Sequence, residues 1–204
     1  MKLLMDSSTD YLFLALYDET KKEVYDTLIR NGKHDHSETL IDNLQLLLEK
    51  NHITCDDLNA ILVGRGPGSY TGVRISGTIA KVLALIKGKK LYSFSTLDLL
   101  LSSKINKEGT YLARIIAKKN HSYYKVAKIA NQAIEYLTSD LFGLDEEVLA
   151  PYQEIKETGN FIEVNDDLFK EANLLAKTIV EKHLYQQEDV YNYVPNYLRS
   201  EING

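Results

Sequence analysis

The sequence predicts a mixed α/β protein in two lobes, and three observations carry that prediction. Strand-like apolar runs crowd the opening stretch, a fully apolar strand leads directly into a glycine-rich loop and a helix, and the pattern changes character near residue 105. Lys2–Met5, Tyr11–Tyr17 and Glu23–Ile29 read as strands. The break Asp6-Ser7-Ser8-Thr9-Asp10 holds side chains that turn a chain by bonding its backbone, and Asp18-Glu19-Thr20-Lys21-Lys22 is polar and hairpin-sized. Together they make an antiparallel meander. A helix is expected over 36–50, capped by Asp35, with Glu38 completing a capping box. Ala60–Val63 is a short buried strand and Gly64–Gly72 a loop, and a second helix runs from about Thr71 to Lys87, stopped by Gly88. Strand Lys90–Phe94 and helix Thr96–Ser103 close the first part.

The resulting order, β-β-β-α-β-α-β, describes a mixed sheet: three antiparallel strands, then parallel ones reached through helices. It is the order of the ribonuclease-H-like lobe of the actin/Hsp70-type kinases and ATPases. The first lobe is placed at 1–104 and a smaller one at 105–204, divided in the polar stretch 104–109. In the second lobe Tyr111–Ala117 and Tyr123–Ala130 read as paired strands, Phe161–Val164 as another, and Asp167–Tyr185 as one long amphipathic helix. The tail Val190–Arg199 is aromatic and extended, interrupted by Pro195.

Composition narrows the function. With 24 Lys+Arg against 29 Asp+Glu the net charge is −5, which argues against gripping nucleic acid alone. A single cysteine, Cys55, excludes an internal disulfide and a cysteine-based zinc site. The start is too short in apolar residues for a signal peptide, and no apolar run is long enough to cross a membrane. A cytoplasmic protein is expected.

The sharpest local feature is Gly64-Arg65-Gly66-Pro67-Gly68-Ser69-Tyr70-Thr71-Gly72-Val73-Arg74. A glycine turn at a helix N-terminus suits an anion. It is neither a P-loop, lacking the Lys-Ser/Thr, nor a dinucleotide fingerprint, lacking the third glycine. The alternative reading is a tight turn that needs positive φ at its glycines, stiffened by Pro67.

Gly66-Pro67-Gly68-Ser69-Tyr70-Thr71-Gly72-Val73-Arg74 resembles the Gly-Pro-Gly-Ser-aromatic-Thr-Gly-x-Arg signature of the TsaB (YeaZ) family. Asp6-Ser7-Ser8-Thr9 resembles its Asp-Thr-Ser, His36-Ser37-Glu38 its His-Ser-Glu, Ser95-Thr96-Leu97 its Ser-Thr-Leu, and Pro195-x-Tyr197-Leu198-Arg199 its C-terminal motif. The likeness is dense over 1–100, thin over 105–185, and returns at the tail. It implies a non-catalytic partner of a TsaD-like catalytic subunit and a TsaE-like ATPase, which together transfer a threonylcarbamoyl group to the adenosine beside the anticodon of tRNA. The likeness to M22 glycopeptidases is by homology only. The resemblance further implies tRNA contact only through the complex. No cofactor is expected on this chain alone, and whether a nucleotide sits at the heteromeric interface stays open.

Two other readings stand beside it: an independent nucleotide-dependent kinase or hydrolase of the same fold class, and an orphan homodimeric interaction protein. Against the first, Asp6-Ser7-Ser8-Thr9 has no glycine to let backbone approach phosphates. Ala117-Lys118-Lys119-Asn120 also lacks the carboxylate that would hold Mg²⁺, where TsaB relatives often carry Asp-Ala-Arg. No two histidines are four apart as a helical metal pair requires, and neither Cys55 nor Ser69 has an arranged base, so no catalytic or metal-binding residue is assigned. Asp6 alone reads as a turn-former rather than a general base.

The second helix carries the interface expectation. Ile75, Ile79, Val82, Leu83 and Ile86 share one broad face, and Gly72, Ser76, Gly77, Ala80 and Ala84 share another. A helix apolar on two sides is buried on two sides. Helices 36–50 and 71–87 are expected to meet TsaD, or a second copy of the chain, through Leu46, Ile75, Ile79 and Leu83, with Gly72, Ser76, Ala80 and Ala84 admitting a neighbouring helix closely. The opposite packing, small face on the sheet, is the alternative.

Overall fold

The computed structural model describes residues 1–32 and 36–196. In chain order the elements are β1 (Lys2–Asp6), β2 (Tyr11–Asp18), β3 (Glu23–Asn31), α1 (His36–Lys50), β4 (Ala60–Gly64), α2 (Tyr70–Lys87), β5 (Lys90–Phe94) and α3 (Thr96–Ser102). There follow β6 (Gly109–Lys118), β7 (His121–Ala130), β8 (Ala133–Tyr136), β9 (Leu141–Leu144), α4 (Asp145–Leu149), α5 (Gln153–Glu157), β10 (Phe161–Glu163), α6 (Asp166–Lys170), α7 (Ala172–Glu181) and β11 (Gln186–Gln187).

Alternation along the first strands assigns each side chain to a face. Leu3, Met5, Leu12, Leu14, Leu16, Ile61 and Val63 point toward α1 and α2. Leu4, Phe13, Ala15, Tyr17 and Leu62 point the other way, into a core shared with α3, α7 and the second sheet. The first sheet runs β11-β5-β4-β1-β2-β3, with β1–β4 and β4–β5 parallel and the meander antiparallel, as the element order predicts. The second has β10-β6-β7-β8 in line, with β9 also paired to β7. Beyond it Leu112, Val126 and Ile155 form a small outer core. The layers therefore alternate helix, sheet, helix, sheet, helix.

Two elements differ from expectation. Asp167–Tyr185 is not one helix: α6, capped by Asn165 through the Leu168 N–H at 2.8 Å, ends at Lys170, and α7 begins at Ala172 after the non-helical Glu171. The break lets Phe169 lie 4.6 Å from the Tyr11 ring while Leu175, Ala176 and Ile179 reach the shared core. His183 then takes φ 53°, turning the chain into β11, which adds an unforeseen edge to β5. The capping box of Asp35 and Glu38 lies outside the described residues. Gly88 does end α2, with φ 60° and its N–H on the Ala84 and Leu85 carbonyls.

Candidate functional site

Three of the sequence motifs meet at the C-terminal ends of β1, β4 and β5. Asp6 is buried, and its Oδ1 accepts the Ser8 N–H at 2.8 Å and the Ser8 hydroxyl. Its Oδ2 accepts the Thr96 hydroxyl at 2.8 Å. The carboxylate thus ties the β1–β2 turn to the start of α3. Ser7 Oγ donates to the Gly72 carbonyl at 2.8 Å, Ser69 N–H to the Ser8 carbonyl at 2.6 Å, and Thr96 N–H to the Gly66 carbonyl at 2.9 Å.

The glycine loop is a structural lock, for a reason only partly foreseen. Gly66 alone among the loop glycines has positive φ, at 86°, and it precedes a cis peptide to Pro67. Gly68 and Gly72 are required by proximity: a Cβ on either would lie 2.9 Å from a backbone carbonyl carbon, of Ser8 and Ser7 respectively. Ser69 caps α2 by accepting the Gly72 N–H at 3.3 Å, so its hydroxyl is engaged in the helix start. The side chains of His36, Ser37 and Glu38 and the motif residues Tyr197, Leu198 and Arg199 lie outside the described residues.

Anchored this way, α2 turns its small residues inward. Gly72, Ser76, Gly77, Ala80 and Ala84 are buried, so the expectation that they receive a neighbouring helix is corrected. Their small size instead brings α2 close to the sheet and to Tyr193 of the tail, whose ring lies 3.1 Å from where a Gly77 Cβ would be. Ile75, Ile79 and Leu83 are half-buried along the flank against α1. Open to solvent are Tyr70, Thr71, Arg74, Thr78, Val82, Leu85 and Ile86, with Ile41 and Leu46 on α1. Ile86 is 74% exposed, Ile41 60% and Leu46 56%, an unusual density of large apolar side chains on two adjacent helices. The Arg74 guanidinium stacks 4.6 Å over the Tyr70 ring, and a shallow depression of about 370 Å³ runs from Tyr70 to Ile79.

A cleft of about 490 Å³ separates the β1–β2 turn and Tyr70 from the second lobe's Arg114–Ala117 and Glu163. Its cation is fully engaged: Arg114 pairs with Asp145 at 2.9 Å and Glu163 at 3.2 Å and donates to Ser122 at 2.8 Å. Among the described residues no group of His, Cys, Asp or Glu is placed to hold a metal ion, and no helix is long and apolar enough to cross a membrane.

One cluster has no counterpart in the sequence reading. Asp98, Lys125 and Asp140 are buried together, Lys125 Nζ lying 2.6 Å from Asp98 and 3.0 Å from Asp140, and 4.1 Å over the Tyr136 ring. Burial pushes the Asp98 carboxyl up, opposed by the Lys125 charge. A lone aspartate amid Leu97 and Leu99–Leu101 was the available signal.

The model of the family described as "TsaD: tRNA N6-adenosine threonylcarbamoyltransferase" matches residues 29–190. The chain is 32% identical over 124 residues to "tRNA threonylcarbamoyladenosine biosynthesis protein TsaB" of Buchnera aphidicola subsp. Schizaphis graminum, covering 60% of this chain and 58% of that one. It is 31% identical to the protein of that name from Escherichia coli (60% and 52%) and 30% identical to that of Bacillus subtilis (68% and 59%). The chain therefore spans a little over half the length of these relatives. YeaZ from Pseudomonas aeruginosa superposes with a TM-score of 0.76 at 20% identity, covering 97% of this chain and 99% of that one, which establishes the actin-like two-sheet fold. With most of its length matched, this chain belongs to the TsaD family of tRNA N6-adenosine threonylcarbamoyltransferases, among its TsaB (YeaZ) members.

Proposed function

We propose that this chain is a non-catalytic partner subunit of a TsaD-type transferase that places a threonylcarbamoyl group on tRNA, acting in the cytoplasm beside a TsaE-type ATPase. The observation that carries the reading is the solvent-facing surface of α1 and α2. Tyr70 and Arg74 are residue types that dominate interface energies, and here they are already stacked on each other. Ile41 and Leu46 on α1, with Val82, Leu85 and Ile86 farther along α2, add exposed apolar area to the same two helices. The glycine lock under α2 holds this surface rigidly, which lowers the ordering cost of association.

The cleft supports the non-catalytic part. A magnesium nucleotide needs free cationic or backbone donors for phosphate and a carboxylate for the metal. Arg114 is occupied by two carboxylates, Asp10 and Glu163 add negative charge to the lining, and Ala117 stands at the end of the second-lobe strand. Among the described residues the cleft thus offers a polyphosphate no cationic side chain that is not already paired. Any nucleotide is left to the interface between subunits, and tRNA contact to the assembled complex.

Analytical ultracentrifugation with a TsaD-type protein tests the reading. The wild-type chain is expected to associate through α1 and α2, and Val82→Arg to weaken association at least tenfold while remaining folded. In the absence of the transferase the same face is expected to pair two copies, symmetrically. A folded Val82→Arg/Ile41→Arg double variant that binds at wild-type strength removes this interface.

A further inference from the structure

The buried cluster of Asp98, Lys125 and Asp140 is unbalanced in charge. Two carboxylates, one from α3 and one from the turn between β8 and β9, face a single ammonium from β7, and none of the three side chains is more than 10% exposed. Lys125 Nζ lies 2.6 Å from Asp98 Oδ1 and 3.0 Å from Asp140 Oδ1, but only the Asp98 contact has hydrogen-bond geometry. Both Asp140 oxygens are sealed from solvent and accept no hydrogen bond. The remaining polar group facing Asp98 is the Tyr136 hydroxyl of β8, whose phenol burial pushes up and keeps protonated. Among the described residues Arg65, which lines the same surface depression as Lys125 and Asp140, pairs with neither carboxylate. With both aspartates ionised, one buried negative charge is therefore uncompensated, and Asp140 is the carboxylate left short of donors.

We propose that this cluster is a proton-operated latch on the β8–β9 turn: a proton on Asp98 releases Lys125 to bond Asp140 and hold the turn, and ionisation of Asp98 draws Lys125 back and loosens it. The proton comes from solvent and rests on an Asp98 carboxyl oxygen. Lys125 bonded to Asp98, with Asp140 unmet, is the arrangement of the ionised state. Burial pushes the Asp98 carboxyl up more than the Lys125 charge and hydrogen bond pull it down, and the Asp140 charge adds to the rise. A carboxyl raised on folding gives stability that is full below its unfolded value and fades as pH rises through the folded one, so the latch opens toward alkaline pH. The turn has few other fastenings: the Leu137 and Thr138 N–H groups donate to the Val126 carbonyl at 2.9 and 3.2 Å, and the Val126 N–H donates to Thr138 Oγ1 at 2.9 Å. The latch is separate from the α1–α2 surface and does not depend on the partner reading.

Amide hydrogen exchange of the full chain, followed by NMR between about pH 4.5 and about pH 8.5 and corrected for the intrinsic rate, tests it. Protection of the Leu137 and Thr138 amides is expected to fall about fivefold or more across that range, relative to the Leu112 amide, which bonds the Asn160 carbonyl outside the cluster. Asp98→Asn cannot ionise and is expected to lose this pH dependence. Asp140→Asn removes the carboxylate that competes for Lys125 and is expected to lose it as well, and it decides if Asp98→Asn fails to fold. Constant relative protection in the wild type, or a pH dependence that either folded variant keeps, overturns the proposal.

Discussion

Replacing Gly68 by alanine tests the claim that the glycine loop is a lock rather than a ligand cradle. The added methyl would sit 2.9 Å from both the carbonyl carbon and the Cβ of Ser8, where carbon atoms normally rest about 3.5–4.0 Å apart. The obstruction is backbone, so no rotamer change relieves it. Relaxing it must separate the β1–β2 turn from α2, stretching the 2.6 Å bond from Ser69 N–H to the Ser8 carbonyl. Overpacking of this kind costs about 1–3 kcal/mol and the lost bond about 1 more, so about 2–4 kcal/mol is expected. For a chain of this size that lowers Tm by roughly 4–16 °C. Urea unfolding followed by circular dichroism reads the loss, with Gly88→Ala as the control. Gly88 has nothing within 4 Å of a Cβ and only its φ of 60° to strain, about 1 kcal/mol. A Gly68→Ala protein within about 0.5 kcal/mol of wild type, or one less affected than Gly88→Ala, refutes the reasoning.

Thr96→Val removes the donor to Asp6 Oδ2 inside a buried site, and should cost about 2 kcal/mol in chemical denaturation while Thr96→Ser restores most of it. Ala80→Arg forces a charge between α2 and the sheet and should destabilise the chain itself by more than about 3 kcal/mol; Val82→Arg, on the open face, should stay within about 0.5 kcal/mol in the same assay. Asp26 gives a pH test. Burial raises its carboxyl, but bonds from Lys50 at 2.8 Å, Asn51 at 2.7 Å and the Thr27 N–H outweigh that and hold it below the ordinary value. A carboxyl lowered on folding contributes stability above its unfolded value that fades as pH falls through the folded one. Asp26→Asn should therefore be less stable than wild type at neutral pH, and the gap should close in thermal scans only as pH falls below the ordinary aspartate range.

The first lobe was legible because continuous apolar runs and polar or glycine punctuation agree there. Tyr11–Tyr17 is apolar at every position since both faces of β2 are buried, and Gly88 sits where α2 must stop. The two faces of α2 were visible as well, yet their assignment was not. A stripe of Gly, Ser and Ala suits either a sheet or a partner helix, and only the packing of Ser76 and Ala80 against the first sheet decides. Positive φ was the wrong reason for Gly68, because close approach depends on Ser8, far away in sequence. The second lobe resisted for a related cause. Its β8 and β9 are short pairs held by β7, and α6 stops before Glu171, just after Phe169 has packed against Tyr11 of a distant strand. The Asp98–Lys125–Asp140 cluster joins three distant segments, and no local pattern announces it.

Reconstitution tests the central claim most directly: threonylcarbamoyl transfer to unmodified tRNA by a TsaD-type transferase and its ATPase, measured with and without this chain. The account predicts modification that requires the wild-type chain, falls sharply with Val82→Arg, and never appears with the chain alone. Transfer at full rate without it, or turnover by the purified chain that disappears in Asp6→Ala, would contradict the account.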